Sequence, residues 1–241
     1  MKILAVIPAR IGSTRLPEKP LIKLNNKEMI RWVFEGTAES KYIDKVIVAT
    51  DSKKIFNCVE NFGGNAMMTS VEHKTGTDRV CEVVEKTNKN YDIVVNVQGD
   101  EPLIKGKDLD LLIEPMIKNP DIKLSTPIKK IDKENIDNSN IVKTVIDRSN
   151  FALYFSRSPI PHVRGESAEF YKHIGIYSYR KEFLLKFKNW KQTPLEKAEK
   201  LEQLRVLENG YRIKTVKWNS ILHGVDTRED VEVVEKYLKG E

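Results

Sequence analysis

Two hydrophobic periods take turns along the first half of the chain. Residues 3–7 form an unbroken apolar run, Ile-Leu-Ala-Val-Ile, of the length of a buried strand. Met29, Ile30, Val33, Phe34 and Ala38 then recur at the spacing of one helix face. The run Lys45-Val46-Ile47-Val48-Ala49-Thr50 returns to strand, and Asp51-Ser52 stands where the next helix needs an N-cap. That helix carries Ile55, Phe56 and Val59 and stops at Gly63-Gly64, where a left-handed cap costs little. Val80, Val83 and Val84 mark another helix. Asp92-Ile93-Val94-Val95-Asn96-Val97 is largely apolar on both faces, as expected of a parallel strand covered by helices on both sides. Leu109, Leu112, Ile113, Met116 and Ile117 add one more helix. This alternation predicts a doubly wound α/β fold with a largely parallel core.

The order changes after about residue 120. Strand-like segments crowd together at residues 123–127, 141–147, 152–156 and 173–179, which predicts antiparallel or mixed pairing, with a loop at 159–168. A helix is expected over residues 195–208, stopped by Asn209-Gly210. A strand at 213–218 follows, then a last helix from Thr227, where Asp230 approximates a capping box. Residues 1–122 with 219–241 thus read as one core, and 123–218 as an insertion into it.

Composition narrows the class. With 241 residues, 40% hydrophobic and 32% charged, the chain suits a single globular α/β enzyme domain with an insertion. The net charge of +6, from 41 Lys+Arg against 35 Asp+Glu, could serve nucleic acid, a membrane surface or a small anion. Acids and bases alternate, however, as in Lys181-Glu182 and Glu196-Lys197, which reads as a solvated surface rather than a polyanion-binding face. Two cysteines, Cys58 and Cys81, make no disulfide framework and are expected to be buried thiols. Pro8 and Arg10 end the first apolar run too soon for a signal peptide or a membrane span, so a cytoplasmic protein is expected.

Candidate chemistry begins where the first strand ends. Pro8-Ala9-Arg10-Ile11-Gly12-Ser13-Thr14-Arg15-Leu16-Pro17-Glu18-Lys19-Pro20 leaves the carboxyl end of that strand, the usual ligand edge of such a sheet. Gly12 permits a tight turn and a close approach of backbone N–H groups to an anion. Arg10, Arg15 and Lys19 bring positive charge for a triphosphate, and Ser13 and Thr14 bring hydroxyl donors. Neither a Walker loop nor a dinucleotide fingerprint is present. Composition alone reads this stretch equally well as an ordinary surface loop; its place after a buried strand favours phosphate.

A second candidate is acidic. Gln98-Gly99-Asp100-Glu101-Pro102 follows the 92–97 strand and sets a carboxylate at the strand end, where a hard cation could meet a triphosphate. Asp226, in Gly224-Val225-Asp226-Thr227, offers a second carboxylate just before a helix, where helix capping is an equal reading.

These segments carry a specific resemblance. Residues 7–21, Val97-Gln98-Gly99-Asp100-Glu101-Pro102 and His223-Gly224-Val225-Asp226-Thr227 resemble motifs of the CMP-Kdo synthetases, the 3-deoxy-manno-octulosonate cytidylyltransferases. So do His73-Lys74-Thr75-Gly76-Thr77-Asp78-Arg79, with Thr75 in place of the commoner Ser, the segment 152–161, Lys172-His173-Ile174-Gly175-Ile176-Tyr177 and Leu201-Glu202-Gln203-Leu204-Arg205. The likeness spans nearly the whole chain and is weakest over 165–171. It implies a Rossmann-like nucleotide-diphospho-sugar transferase fold with a smaller antiparallel subdomain, whose residues 123–218 serve sugar binding and dimerisation.

The resemblance also implies roles. CTP would be held by Pro8, Ala9, Arg10, Gly12, Ser13, Thr14, Arg15, Lys19, Thr75, Gly76, Arg79 and Gln98. The acidic sugar Kdo would be held by Arg79, Gln98, Arg157, His173, Tyr177, Glu202 and Gln203, with Arg164 a weaker candidate. Asp100 and Asp226 would bind Mg2+, and Arg10, Lys19, Asp100 and Asp226 would act in catalysis. The expected reaction transfers CMP from CTP to the sugar's anomeric hydroxyl, giving CMP-Kdo and pyrophosphate for lipopolysaccharide synthesis. The partners expected are CTP, Kdo and a second copy in a homodimer, with no nucleic acid and no membrane. The 8-amino analogue of Kdo, or another acid sugar, is the alternative acceptor. A basic nucleic-acid-binding module is the alternative of a different class, disfavoured because Tyr154, Phe155 and Tyr177 fall in core-like strands.

Overall fold

Ile3–Ala9 (β1) is a strand because its aliphatic side chains are shielded on both faces; Leu4, Ala5, Val6 and Ile7 are all 0% exposed. The structure, a computed structural model, describes residues 1–12, 16–87, 89–165 and 167–240. The chain divides into two compact units, residues 1–110 with 220–241, and residues 111–219.

In the first unit β1 leads through a single 3-10 turn at Lys19–Leu21 to the short hairpin Lys23–Leu24 (β2) and Lys27–Glu28 (β3). Then come Met29–Ala38 (α1), Lys45–Thr50 (β4), Lys53–Asn61 (α2), Ala66–Met68 (β5), Gly76–Lys86 (α3) and Ile93–Asn96 (β6). All four sheet strands are parallel, in the order β5-β4-β1-β6. β4 lies on one side of β1 and β6 on the other, so the chain reverses its winding between β1 and β6. In an open α/β sheet the crevice at such a reversal is the ligand site.

The helices begin and end for local reasons. Thr75 caps α3, accepting from the Asp78 N–H while the Asp78 carboxylate accepts from the Thr75 N–H. Gly63, at φ +80°, takes the left-handed conformation just past α2, as the Gly-Gly pair suggested. Ser52 is the N-cap of α2 by position, but its side chain makes no capping bond. Cys81 is buried as expected; Cys58 is only partly so, because it lies off the buried Ile55–Val59 stripe of α2.

The second unit is built on Leu124–Ile131 (β7), which pairs antiparallel with Phe170–His173 (β10) and Tyr177–Arg180 (β11) and parallel with Lys214–Lys217 (β12). Lys143–Ile146 (β8) joins β10 to Ala152–Ser156 (β9). Two expectations are corrected here. The strand expected over 173–179 is two strands, interrupted by Ile174-Gly175-Ile176, where the Ile176 N–H turns back to the Ile174 carbonyl. The helix expected over 195–208 is two short ones, Pro194–Glu199 (α6) and Leu204–Glu208 (α7), parted by Lys200 at φ +54°. Lys181–Lys188 (α5), which the pattern reading passed over, packs Phe183, Leu184 and Phe187 inward.

Gly106–Lys118 (α4) and Arg228–Lys239 (α8) complete the chain. The capping box of α8, Thr227 with Asp230, forms as expected. Val234 on α8 joins Leu16, Leu24, Met29, Leu103 and Val225 in one apolar cluster, which fixes the C-terminal helix against the start of the first unit.

Backbone crowding makes one glycine testable. A Cβ on Gly36 would lie 2.2 Å from the Ile104 carbonyl oxygen, whereas one on Gly12 would meet nothing within 4 Å. Alanine is intrinsically about 1 kcal/mol better than glycine inside a helix, but a clash with backbone outweighs that gain. Gly36→Ala is expected to lower unfolding free energy by about 1–3 kcal/mol, and Gly12→Ala to change it by less than about 0.5 kcal/mol, both read by urea denaturation.

Candidate active site at the reversal of the parallel sheet

The strand ends at the reversal supply the site's first elements. Beyond β1 the chain gives Arg10; beyond β6 it gives Gln98, Gly99 and Asp100. Gly99 has to be glycine, since a Cβ there would stand 2.8 Å from the Pro8 carbonyl oxygen. This close approach lets the two strand ends lie side by side with Asp100 at the rim.

Asp226 is delivered from the other end of the sequence. The Val225 N–H donates to the Asp100 carbonyl at 2.9 Å, while the Asp226 and Thr227 N–H groups donate to the Asp230 carboxylate on the first turn of α8. Asp230 is held below the usual carboxylate range: burial pushes it up, but the Asp226 N–H and the His223 ring outweigh that. Its charge therefore serves the turn and leaves the Asp226 side chain directed toward Asp100.

Lys19 joins the two. Its Nζ lies 2.6 Å from Asp100 Oδ2 and 3.0 Å from Asp226 Oδ1. Burial lowers its pKa, but Asp100 and Asp226 more than reverse this, so the ammonium is held above its usual value. The Asp100 and Asp226 side chains are 35% and 48% exposed. Ion pairs that open to water contribute only about 0–1 kcal/mol each. Stability is thus a poor reason for bringing two like charges together at a cleft.

These groups border a cavity of about 360 Å³. Of the residues expected at CTP, Pro8, Ala9, Arg10, Lys19, Thr75, Gly76, Arg79 and Gln98 line it, as do Asp100 and Asp226. Gly12 is exposed and is not among the lining residues, and Ser13, Thr14 and Arg15 fall outside the described residues. Thr75 and Gly76 present the N-terminal turn of α3, where N–H groups and the helix dipole favour an anion. Arg79 is neither solvated nor free to swing: it is 4% exposed, pairs with Asp51 at 2.8 Å and bonds the Thr69 hydroxyl. Motif reading had quoted His73, Lys74 and Gly99 without assigning them a site role, yet all three line the cavity.

The donor set fits a hard divalent ion. Two carboxylates within reach of a single cation, on a cavity sized for phosphates, match magnesium's preference for one or two carboxylates plus phosphate oxygens. Among the described residues no cluster of three His, Cys, Asp or Glu side chains forms a softer or fuller cage.

The residues expected at the sugar that lie in the second unit form a polar chain of their own. Tyr177 donates its hydroxyl to Gln203 Oε1 at 3.3 Å, and Gln203 Nε2 faces His173 Nδ1 at 3.4 Å. His173 Nε2 lies 2.9 Å from Thr126 Oγ1, whose hydroxyl can donate to the Ile176 carbonyl at 2.9 Å. The directions agree only if His173 is neutral with its proton on Nε2. Burial among Phe155, Tyr177 and Thr126 pushes its pKa down to about 3, and burial raises the Tyr177 phenol well above its ordinary value. Arg157 donates from Nε to the Glu199 carbonyl and from Nη1 to the Ser139 carbonyl. Glu202, partly exposed, lies 3.5 Å from Arg205. Thr126 was not singled out by the sequence; a threonine in a strand carries no local mark of the bond it makes across to β10.

A parallel sheet whose winding reverses beside a carboxylate-rimmed cavity of about 360 Å³ has the architecture of a nucleotide-binding α/β protein. The family model described as cytidylyltransferase matches residues 4–215. The chain belongs to the 3-deoxy-manno-octulosonate cytidylyltransferase family. It is 48% identical to the protein of that name from Fusobacterium nucleatum, over 99% of this chain and 98% of that one. It is 46% identical to the one from Syntrophotalea carbinolica, over 100% of both. Among solved structures it matches a CMP:2-keto-3-deoxy-manno-octonic acid synthetase complexed with CTP, with TM-score 0.96, 39% identity and coverage of 100% and 99%. A 4-diphosphocytidyl-2C-methyl-D-erythritol synthase from Anaerococcus prevotii, at TM-score 0.67 and 16% identity, shares the fold alone. Among the described residues no helix is long and apolar enough to cross a membrane.

The depressed His173 pKa has a measurable consequence. An unfolded histidine titrates near 6.5 and the folded one near 3. The unfolded state therefore binds the extra proton first, and the stability that neutral His173 contributes is complete above pH 6.5 and lost as pH falls toward 3. His173→Asn is expected to flatten this acid limb, removing about 1–2 kcal/mol of the stability difference between pH 7 and pH 5. Urea unfolding at the two pH values checks it; equal pH dependence in both proteins would refute a neutral His173.

Proposed function

We propose that this chain transfers CMP from CTP to the anomeric hydroxyl of Kdo, releasing pyrophosphate; its full-length relatives are named 3-deoxy-manno-octulosonate cytidylyltransferases. The convergence of Asp100 and Asp226 on one cation, beside a cavity at the reversal of the parallel sheet, is the observation that carries this reading.

The attacking oxygen displaces pyrophosphate at the α-phosphorus, so positioning and charge neutralisation supply most of the rate. Arg10 and Lys19, with Arg15, neutralise charge growing on the leaving pyrophosphate. The turn at Thr75 and Gly76 receives the nucleotide, and Gln98 and Arg79 complete its surroundings. Arg79, already oriented by Asp51 and Thr69, acts as a fixed wall rather than a mobile clamp. Asp100 and Asp226 would hold Mg2+, with Lys19, which pairs with both carboxylates, beside it. When bound, the ion supplies Lewis-acid polarisation and lowers the acceptor hydroxyl's pKa.

Arg157, His173, Tyr177, Glu202 and Gln203 are assigned to the acid sugar. A neutral His173, with Nδ1 facing Gln203 and Nε2 facing Thr126, holds Gln203 and Tyr177 in place for hydroxyl recognition rather than transferring a proton at neutral pH. Product destined for lipopolysaccharide, a cytoplasmic location and a homodimer complete the reading. The 8-amino analogue of Kdo would use the same carboxylate contacts and differs only at the sugar's far end.

Incubation with CTP, Mg2+ and each acid sugar in turn, with pyrophosphate release as the readout, tests the reaction. Asp100→Asn is expected to lower kcat at least about a hundredfold while leaving the thermal midpoint within a few degrees. Wild-type turnover in that variant would remove the ion from this position. Lys19→Ala is expected to lower kcat about ten- to a hundredfold with the fold intact, and wild-type rates would refute its leaving-group role.

A further inference from the structure

Lys143 is a charged side chain with no exposure at all, on β8 of the second unit. Its ammonium donates to three backbone carbonyls, those of Asn138 at 3.0 Å, Ile141 at 2.7 Å and Arg157. An ammonium has three N–H donors, so these carbonyls use its whole capacity. Among the described residues no carboxylate pairs with it directly. A buried ammonium ringed by carbonyls acts as a built-in cation, drawing together peptide dipoles that would otherwise repel.

What it draws together is the seat of Arg157. The Asn138 and Ile141 carbonyls flank Ser139, whose own carbonyl accepts from Arg157 Nη1 at 3.0 Å. Arg157 Nε donates to the Glu199 carbonyl, and the Arg157 backbone N–H donates to Glu199 Oε2, both at 2.9 Å. Ser156 Oγ holds the other oxygen of that carboxylate at 2.6 Å. Among the described residues, Arg157 Nη2 makes no hydrogen bond and no carboxylate lies within ion-pair distance of the guanidinium. Arg79 and Arg205, by contrast, are neutralised by Asp51 and Glu196. A guanidinium oriented by carbonyls but not neutralised keeps its attraction for an incoming anion.

We propose that Lys143 is a positioning residue that sets the 138–141 turn and the Arg157 backbone so that the Arg157 guanidinium meets an anionic group, a carboxylate, of the acceptor sugar. This deepens the proposed function and rests on it. Its role is separable from general stability because it should govern one substrate and not the other.

Lys143→Ala removes a length of side chain equal to n-propylammonium. The variant is expected to raise KM for Kdo at least about tenfold and leave KM for CTP within about twofold. Added n-propylammonium should restore the Kdo KM, and neutral n-propanol should not. Lys143→Gln, which keeps two donors without the charge, should fall between. Turnover by the unaltered enzyme with an unchanged Kdo KM in both variants, or an equal rise in both KM values, overturns the role of Lys143 alone. If neither variant folds, the 15N signal of the Lys143 ammonium in the unaltered enzyme should shift on adding Kdo and not on adding CTP; no shift with Kdo overturns it. No turnover by the unaltered enzyme with any acid sugar overturns the functional reading, and this role with it.

Discussion

The approach of Asp100 and Asp226 rests on a main-chain hydrogen bond from the Val225 N–H to the Asp100 carbonyl. It ties the segment after β6 to the segment before α8, so two aspartates far apart in sequence become neighbours. Nothing about either aspartate alone would achieve this; two carboxylates repel, and the bond is made by the backbones of Val225 and Asp100. The cost of the repulsion is offset by Lys19, whose ammonium reaches both side chains. α8 is anchored in turn by Val234 within the apolar cluster of Leu24, Met29 and Leu103. Hydrophobic packing along the helix therefore sets the position of a charge just before its start. The site's electrostatics and the unit's core are one mechanical system.

The sequence exposed this layout to the extent that it was local. The apolar runs of β1 and β6 are continuous because both faces are covered, and such runs can be read without a structure. The capping box at Thr227 and Asp230 and the left-handed Gly63 are likewise written in adjacent residues. Where the reading slipped, a long-range contact had overridden a local period. The 195–208 segment has a continuous helical pattern, yet Lys200 takes a positive φ and the chain restarts at Leu204. Glu196 is drawn inward there to meet Arg205 at 2.7 Å, a pairing across the break that helical spacing does not announce.

The candidate site divides in the same way. Residues in loops at strand ends were identifiable by position, and the cavity gathers most of them. Residues that orient those groups were not identifiable. Gly99 is needed because Pro8 crowds it, Asp51 because it holds Arg79, and Thr126 because it turns His173 to one tautomer. Each acts through partners distant in sequence, which no local pattern announces. Motif reading finds groups that would touch substrate, whereas structure is needed to find what aims them.

The buried polar groups of the second unit follow from that division. Lys143, Thr126, Ser156 and Gln203 are all buried, and each finds a specific partner. Burying such groups is costly when they are unpaired and roughly neutral when they are satisfied. A core filled with apolar side chains of similar size would fold at least as readily, so their presence calls for a different cause. Directed hydrogen bonds fix a rotamer and a tautomer, which dispersion forces do not. The chain from Tyr177 through Gln203 and His173 to Thr126 is such a set, with each donor and acceptor held at a fixed angle by its neighbour.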